Sequence, residues 1–153
     1  MTGYRLSRGC ACGNVQVLAD LSMAVEGYQP RRCDCDFCMQ HGAAYLSDPA
    51  GTLHITVQNP GRISRYRQGN QLADFLICSS CQELICVVYT EASGKQLATL
   101  NVQPCLSQHA FAEPQMVSPK QLNAAEKTAR WSTLWFPLQL SGIDIQTCPV
   151  VSE

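Results

Sequence analysis

The chain has 153 residues, a formal net charge of -1 and a hydrophobic fraction of 46%, which together indicate one ordinary globular domain spanning residues 1–153. The lack of any run of lysine or arginine argues against a nucleic-acid face, and no apolar stretch approaches the roughly 20 residues that span a bilayer. Because the first residues lack the apolar segment of a secretion signal, we expect a cytoplasmic protein without nucleic-acid or membrane partners.

Short segments with alternating or β-branched residues predict strands along the first two thirds of the chain. In chain order the predicted strands are 15–19, 43–46, 53–57, 63–66, 73–77, 84–90 and 96–102. Turn residues at 59–61, 68–70 and 93–95 separate several of them. Strands this short, joined by close turns, predict a mainly β domain built from antiparallel strands.

One helix is predicted near the C-terminus. Ser118 is a suitable cap and Pro119 fits the first turn. Three small or apolar residues then share one helical face: Leu122, Ala125 and Ala129. The helix is therefore expected to begin at about residue 118.

The residues after this helix are rich in aromatic side chains. Trp131, Trp135 and Phe136 are predicted to pack the C-terminal tail onto the β domain, in preference to facing a ligand. For tyrosines within predicted strands, such as Tyr45 and Tyr66, packing is likewise favoured over a place in a pocket.

Ten cysteines are far more than a chain of this size carries by chance. A cytosolic compartment would keep them reduced, which disfavours a disulfide framework. Isolated cysteines behave as small buried hydrophobic residues, and this applies to Cys86, Cys105 and Cys148. The other seven cysteines form three groups: Cys10 and Cys12; Cys33, Cys35 and Cys38; Cys78 and Cys81.

Cysteines two or three positions apart can bring two thiolates to one zinc ion, which prefers four ligands in a tetrahedron. Gly13 would ease the turn after the first pair. Spacing alone leaves the pairing open, because Cys35 and Cys38 could join the pair at 78 and 81 as in a zinc ribbon. Two clean pairs and one group of three nevertheless favour a four-ligand site and a three-ligand site, and three protein ligands leave an open position.

The order of these motifs resembles the glutathione-dependent formaldehyde-activating enzyme family, which includes centromere protein V. The resemblance covers residues 5–106 and leaves 107–153 as a C-terminal extension. It consists of the following motifs: Gly9-Cys10-x-Cys12-Gly13-x-Val15, Cys33-x-Cys35-x-x-Cys38, the segment Gly61–Tyr66, and Phe75 before Cys78-x-x-Cys81.

This resemblance implies a tent-like β fold with two zinc ions. A structural zinc would be held by Cys10, Cys12, Cys78 and Cys81. A second, catalytic zinc would be held by Cys33, Cys35 and Cys38. The implied activity is that of a carbon–sulfur lyase, which reversibly joins formaldehyde to the sulfur of glutathione.

The chain also departs from the family pattern. Asp34 and Asp36 add negative charge beside the second site, and the preceding Arg31 and Arg32 either form a local ion network with them or bind a substrate carboxylate. Gln82 stands where the family often has glycine. If that position needs a positive φ, glutamine costs about 1–2 kcal/mol.

His41 lies three residues after the second cysteine group, where it could act as a fourth ligand or a proton shuttle. The expected partner of the protein is a small thiol or thiol adduct, and a homodimer is one possible assembly. Two alternatives to the lyase stay open: a non-catalytic zinc module, and a disulfide redox protein that uses Cys78 and Cys81.

Overall fold

The structure is a computed structural model that describes residues 4–67, 73–117 and 122–151. Its described strands form one twelve-stranded sheet, which confirms the prediction of a mainly β domain. The predicted turn at 68–70 lies outside the described residues. None of the described helices is long and apolar enough to cross a membrane.

The strands follow one another along the chain with short connections. They are β1 (Tyr4–Gly9), β2 (Val15–Leu21), β3 (Arg31–Cys33), β4 (Tyr45–Leu46), β5 (Thr52–Val57), β6 (Ile63–Tyr66), β7 (Ala73–Cys78), β8 (Glu83–Thr90), β9 (Gln96–Asn101), β10 (Gln115–Val117), β11 (Phe136–Ser141) and β12 (Val150–Val151). All seven predicted strands are present, although the one predicted at 43–46 shortens to two residues. The sequence prediction missed β1, β3, β10, β11 and β12.

The main path of the sheet runs β1-β2-β5-β11-β9-β8-β7-β6-β12, with β3, β4 and β10 off this path. Pairings among the strands before residue 107 are antiparallel, as predicted. The C-terminal extension adds three parallel pairings: β10 with β3, β11 with β5 and β12 with β6. The C-terminal extension therefore makes this a mixed sheet, with both antiparallel and parallel pairings.

The burial pattern explains why the strands differ in sequence. Strand β5 alternates, with Leu53, Ile55 and Val57 buried and its other residues more exposed, because only one of its faces meets the core. Strand β7 is buried at every position, since Leu76 packs in the main core while Phe75 and Ile77 pack in a second core on the opposite face. Continuous apolar runs thus mark the strands that are covered on both faces.

Two α-helices cover the second core. Helix α1 (Asp36–Gln40) was not predicted, because five residues are too few to show a helical period. Its residue Phe37 stacks on Tyr66, with ring centroids 4.1 Å apart and planes 4° from parallel. Helix α1 thus covers the second core, and the cysteines at 33, 35 and 38 lie at the same place.

Helix α2 (Ala124–Leu134) begins later than predicted. Ser118 and Pro119 lie outside the described residues, and Leu122 precedes the helix. The N-cap is Asn123, whose side chain accepts a hydrogen bond from the backbone N–H of Glu126 while the Glu126 carboxylate accepts one from the backbone N–H of Asn123. This reciprocal pair satisfies two backbone donors at the helix start.

The C-terminal tail packs onto the β domain, as predicted, and Phe136 is fully buried in the main core. Trp131 and Trp135 are half-buried and pack against the second core. Strand β11 is also part of the sheet itself. It lies between β5 and β9 and joins the half that contains β1, β2 and β5 to the half that contains β6 to β9.

Candidate metal centres

The structure brings Cys10, Cys12, Cys78 and Cys81 together, so that their sulfur atoms all lie within 4.8 Å of one another. The Sγ atoms of Cys10 and Cys12 are 3.6 Å apart, and those of Cys12 and Cys78 are 3.4 Å apart. Four sulfurs around zinc at 2.3 Å would be separated by about 3.8 Å. The donor set and its spacing therefore suit a tetrahedral zinc ion, and this four-cysteine cluster could hold one.

Two tight turns give the four-cysteine cluster its shape. Cys10 and Cys12 follow β1, and Gly13 has a φ of 81°. Cys78 ends β7 and Cys81 lies in the turn to β8, where Gln82 has a φ of 61°. The condition under which glutamine was expected to cost free energy at this position is therefore met. Left-handed backbone at these two positions lets each turn fold its paired sulfurs toward the same point.

A buried ion pair lies beside the four-cysteine cluster. Arg8 is 7% exposed, pairs with Glu83 and donates a hydrogen bond to the carbonyl of Asn101 at 3.3 Å. Burial lowers the pKa of Arg8, while negative charge on Cys105 and Cys86 would raise it. The pair ties β1 to β8 and β9 next to the cluster.

The three isolated cysteines are buried hydrophobic residues, as predicted. Cys86, Cys105 and Cys148 are each at most 5% exposed and carry free thiols. Burial raises the pKa of Cys86 to about 12. These cysteines belong to neither candidate metal cluster.

Cys33, Cys35 and Cys38 form a second group whose sulfur atoms also lie within 4.8 Å of one another. Cys33 ends β3, Cys35 caps α1, and Cys38 lies in the first turns of that helix. The Cys35 sulfur accepts a hydrogen bond from the Cys38 backbone N–H at 3.4 Å. This three-cysteine cluster could hold a metal ion with three protein ligands, which leaves one tetrahedral position open.

Crowding of the three thiols affects how they ionise. Three effects raise the pKa of Cys38 far above its ordinary value. In decreasing order they are hydrogen bonding with Cys33, hydrogen bonding with Cys35, and burial. Thiolates this close repel one another, so they cannot all ionise without a neighbouring cation. A divalent metal would supply that charge, which makes the three-cysteine cluster a suitable cation site.

Tyr45 is a neighbour of this cluster that the sequence interpretation assigned to packing. Its hydroxyl lies 3.1 Å from the Cys38 sulfur. Burial and the nearby Cys38 raise the pKa of Tyr45 well above its ordinary value, so the phenol keeps its proton. A protonated phenol donates to a thiolate, and such partners orient metal ligands. The antiparallel pairing of β3 with β4 brings Tyr45 opposite Arg31 and so close to the three-cysteine cluster.

The three-cysteine cluster opens into a cavity of about 430 Å³, and Cys33, Cys35, Cys38 and Tyr45 all line it. Trp131 and Trp135 line the same cavity, so they contribute to a pocket wall as well as to packing. None of the four cysteines of the other cluster is among the described residues that line it. The two clusters therefore differ in their access to a small molecule.

The two arginines before the three-cysteine cluster have different surroundings. Arg31 is exposed and lines the cavity. Arg32 donates hydrogen bonds to the carbonyl of Gly42 at 2.8 Å and to the side chain of Gln103 at 2.7 Å. Arg32 thereby links the loop after α1 to the turn that follows β9, while Arg31 lines the cavity.

His41 is the C-cap of helix α1, and its ring packs on Phe37 with centroids 4.5 Å apart. Within the described residues, His41 is outside the group of ligand atoms that the three cysteines form. A histidine at this spacing therefore does not complete the three-cysteine cluster in this geometry.

The comparisons with known proteins bear on the fold. No family model matches the chain, and no curated protein matches it. A crystal structure of a Rhodobacter sphaeroides protein from structural genomics is similar, with a TM-score of 0.52 and 21% identity. The similarity covers 73% of this chain and all of that one. At this identity the match supports a shared fold.

Proposed function

We propose that this protein is a zinc-dependent carbon–sulfur lyase of the glutathione-dependent formaldehyde-activating type, with the three-cysteine cluster as its active site. The observation that carries this proposal is that three cysteines, and not four, meet at the wall of a cavity of small-molecule size. The cysteine spacing along the chain supports the same assignment.

The reaction is the reversible joining of a thiol to a small carbonyl compound. In the forward direction the sulfur electron pair forms a bond to the carbonyl carbon, and the carbonyl π pair moves to oxygen. That oxygen takes up the proton released by the thiol, which gives a hydroxymethyl thioether. The reverse direction breaks the carbon–sulfur bond and returns its electron pair to sulfur. The hydroxyl proton is transferred to that sulfur, which restores the carbonyl group and the thiol. No oxidant or reductant is needed.

The charge of the site favours this chemistry over hydrolysis. A zinc ion held by three thiolates has a formal charge of about -1, so it would hold a soft substrate sulfur better than it would ionise water. Around it, the Tyr45 hydroxyl orients Cys38, and Arg31 places a positive charge at the cavity wall. The three cysteines thus fix the position of the sulfur, and the cavity holds the rest of the substrate.

Exchange spectroscopy by NMR tests this proposal. In an equilibrium mixture of glutathione and ¹³C-formaldehyde, we expect the zinc-loaded protein to accelerate exchange between free thiol and adduct. Cys35→Ser should abolish the acceleration, because it removes one of the three ligands. Cys148→Ala, which removes a thiol outside both clusters, is the matched control and should retain it.

Equal acceleration by Cys35→Ser and by the unmodified protein would remove the three-cysteine cluster from the chemistry. Two bound zinc ions with no acceleration for glutathione or other thiols would favour the alternative, a non-catalytic zinc module. Zinc-free protein that cycles between dithiol and disulfide would instead indicate a redox protein.

A further inference from the structure

The cavity beside the three-cysteine cluster has one wall that comes from the C-terminal extension. Helix α2 and the residue after it contribute Lys127, Arg130, Trp131, Leu134 and Trp135 to the lining. The cysteine motifs all lie before residue 106, so this wall is separate in sequence from the chemistry-bearing residues. Such an arrangement lets one segment hold the sulfur and another select what the sulfur is attached to.

The apolar part of this wall is aromatic. Trp131 and Trp135 stack with ring centroids 4.9 Å apart and planes 23° from parallel. Tyr89 of β8 supports Trp131 at 5.3 Å. Phe75 of β7 and Val87 of β8 also line the cavity, so the sheet contributes apolar surface as well. An apolar or aromatic group can therefore be buried in this part of the cavity.

Two hydroxyl groups of the cavity lining, those of Ser47 and Thr99, are already engaged within the protein. The Ser47 and Thr99 hydroxyls are 2.6 Å apart, and Thr99 also donates to the carbonyl of Leu46 at 3.0 Å. Such groups offer little to a ligand that is rich in amides. A polar peptide would leave some of its own donors and acceptors unpaired against the tryptophan wall, which costs binding free energy.

Apart from the three-cysteine cluster, the charged residues of the described lining have one sign. Arg31, Lys127 and Arg130 line the cavity, and no aspartate or glutamate is among its described lining residues. Lys127 is half-buried, while the two arginines are exposed at the rim. A cavity edged by cations attracts an anion and raises its local concentration.

We infer that the cavity binds an aromatic thiol that carries a carboxylate, or the carbonyl adduct of such a thiol. The sulfur lies at the three-cysteine cluster, the aromatic ring packs against the tryptophan wall, and the carboxylate meets the cations of α2. This inference rests on the proposed function, since it names the substrate class of the same site. It differs from that proposal by favouring an aromatic body over the polar tripeptide of glutathione.

Binding can be measured without any carbonyl compound. Trp131 and Trp135 are the two tryptophans of the chain, so tryptophan fluorescence reports on this cavity alone. The probe is 2-mercapto-3-phenylpropanoate, added to zinc-loaded protein. We expect it to bind at least about tenfold more tightly than either 2-phenylethanethiol, which lacks the carboxylate, or glutathione, which lacks the ring.

Variants separate the two parts of the wall, with calorimetry as the readout because one of them removes a fluorophore. Lys127→Gln combined with Arg130→Gln should weaken the mercaptophenylpropanoate by about tenfold and leave 2-phenylethanethiol unchanged. Trp131→Leu should weaken both thiols by about tenfold. Lys95→Gln, at an exposed turn outside the cavity, is the control and should change neither.

Circular dichroism and thermal unfolding establish that each variant is folded. Glutathione binding as tightly as the aromatic probe would overturn the inference, as would an equal effect of the double charge variant on both aromatic thiols. These outcomes are distinct from failure of the proposed function. Tight, selective binding of the probe with no acceleration of adduct exchange contradicts only the lyase, whereas acceleration without selectivity contradicts only the inference.

Discussion

The four-cysteine and the three-cysteine clusters use the same ligand type in one chain, yet their surroundings differ. The first joins the end of β1 to the hairpin of β7 and β8, close to the buried pair of Arg8 and Glu83. The second lies between a short strand and a five-residue helix, at the wall of a cavity. Both clusters use cysteine, so ligand chemistry does not distinguish them. The candidate structural site and the candidate reactive site differ in the number of ligands and in the presence of an adjacent cavity.

The largest effect is expected on the free energy of unfolding. We predict that it depends much more on the four-cysteine cluster than on the three-cysteine cluster. Cys78→Ser should lower the free energy of unfolding by about 4 kcal/mol or more, because loss of a structural metal is among the most damaging changes. Cys35→Ser should lower it by about 1 kcal/mol. Urea denaturation of the zinc-loaded proteins measures both, and equal losses would break the distinction.

Chelation compares the two clusters by the rate at which they release metal. We expect two zinc ions per chain, of which a mild chelator removes one quickly from the three-cysteine cluster through its open position. Zinc release can be followed with a chromophoric chelator. Release of both ions in a single phase, or a stoichiometry of one, would contradict this picture.

Tyr45→Phe tests the hydrogen bond at the three-cysteine cluster. Loss of the hydroxyl 3.1 Å from the Cys38 sulfur should weaken zinc binding there by about tenfold, since partners of metal ligands carry effects of that size. Competition with a chelator of known affinity measures the change. The exposed Tyr4→Phe serves as the control, and an identical affinity in both variants would assign Tyr45 to packing.

The smallest expected effect concerns the backbone of the four-cysteine cluster. Gln82→Gly should be more stable than Gln82→Ala by about 1 kcal/mol, because both lose the side-chain bond to the Ser79 carbonyl but only alanine keeps the strain of a positive φ. Thermal unfolding of the two variants measures the difference. Equal stability would show that the turn adjusts without cost.

The candidate site could be predicted in large part because its ligands are local. Cysteines two or three positions apart define their own groups, and Gly13 was expected to ease the turn after the first pair, where its φ is positive. The pairing of the first group with the third was favoured by the division into two pairs and one group of three, and the family resemblance implied the same set. Tyr45 could not be found in this way, since its place beside Cys38 depends on the pairing of β3 with β4.

The fold class could be predicted from the sequence, but the order of the strands in the sheet could not. Alternation identified the strands of the central sheet, but β3 and β12 are too short to show it. The start of α2 was misplaced because Ser118 and Pro119 match the sequence signals of a helix start, whereas Asn123 and Glu126 form the capping pair of α2. Which strands lie side by side is decided by contacts between distant residues, and local patterns do not carry that information.

The position of β11 has a consequence for how the protein is made. Because it lies between β5 and β9, the two halves cannot form one continuous hydrogen-bonded sheet until the ribosome has released residue 141. Before that point, both halves present unpaired strand edges that invite association with other chains. The growing polypeptide therefore depends on the segment Phe136–Ser141 to become a single sheet, and a fragment ending at residue 106 would be prone to aggregate.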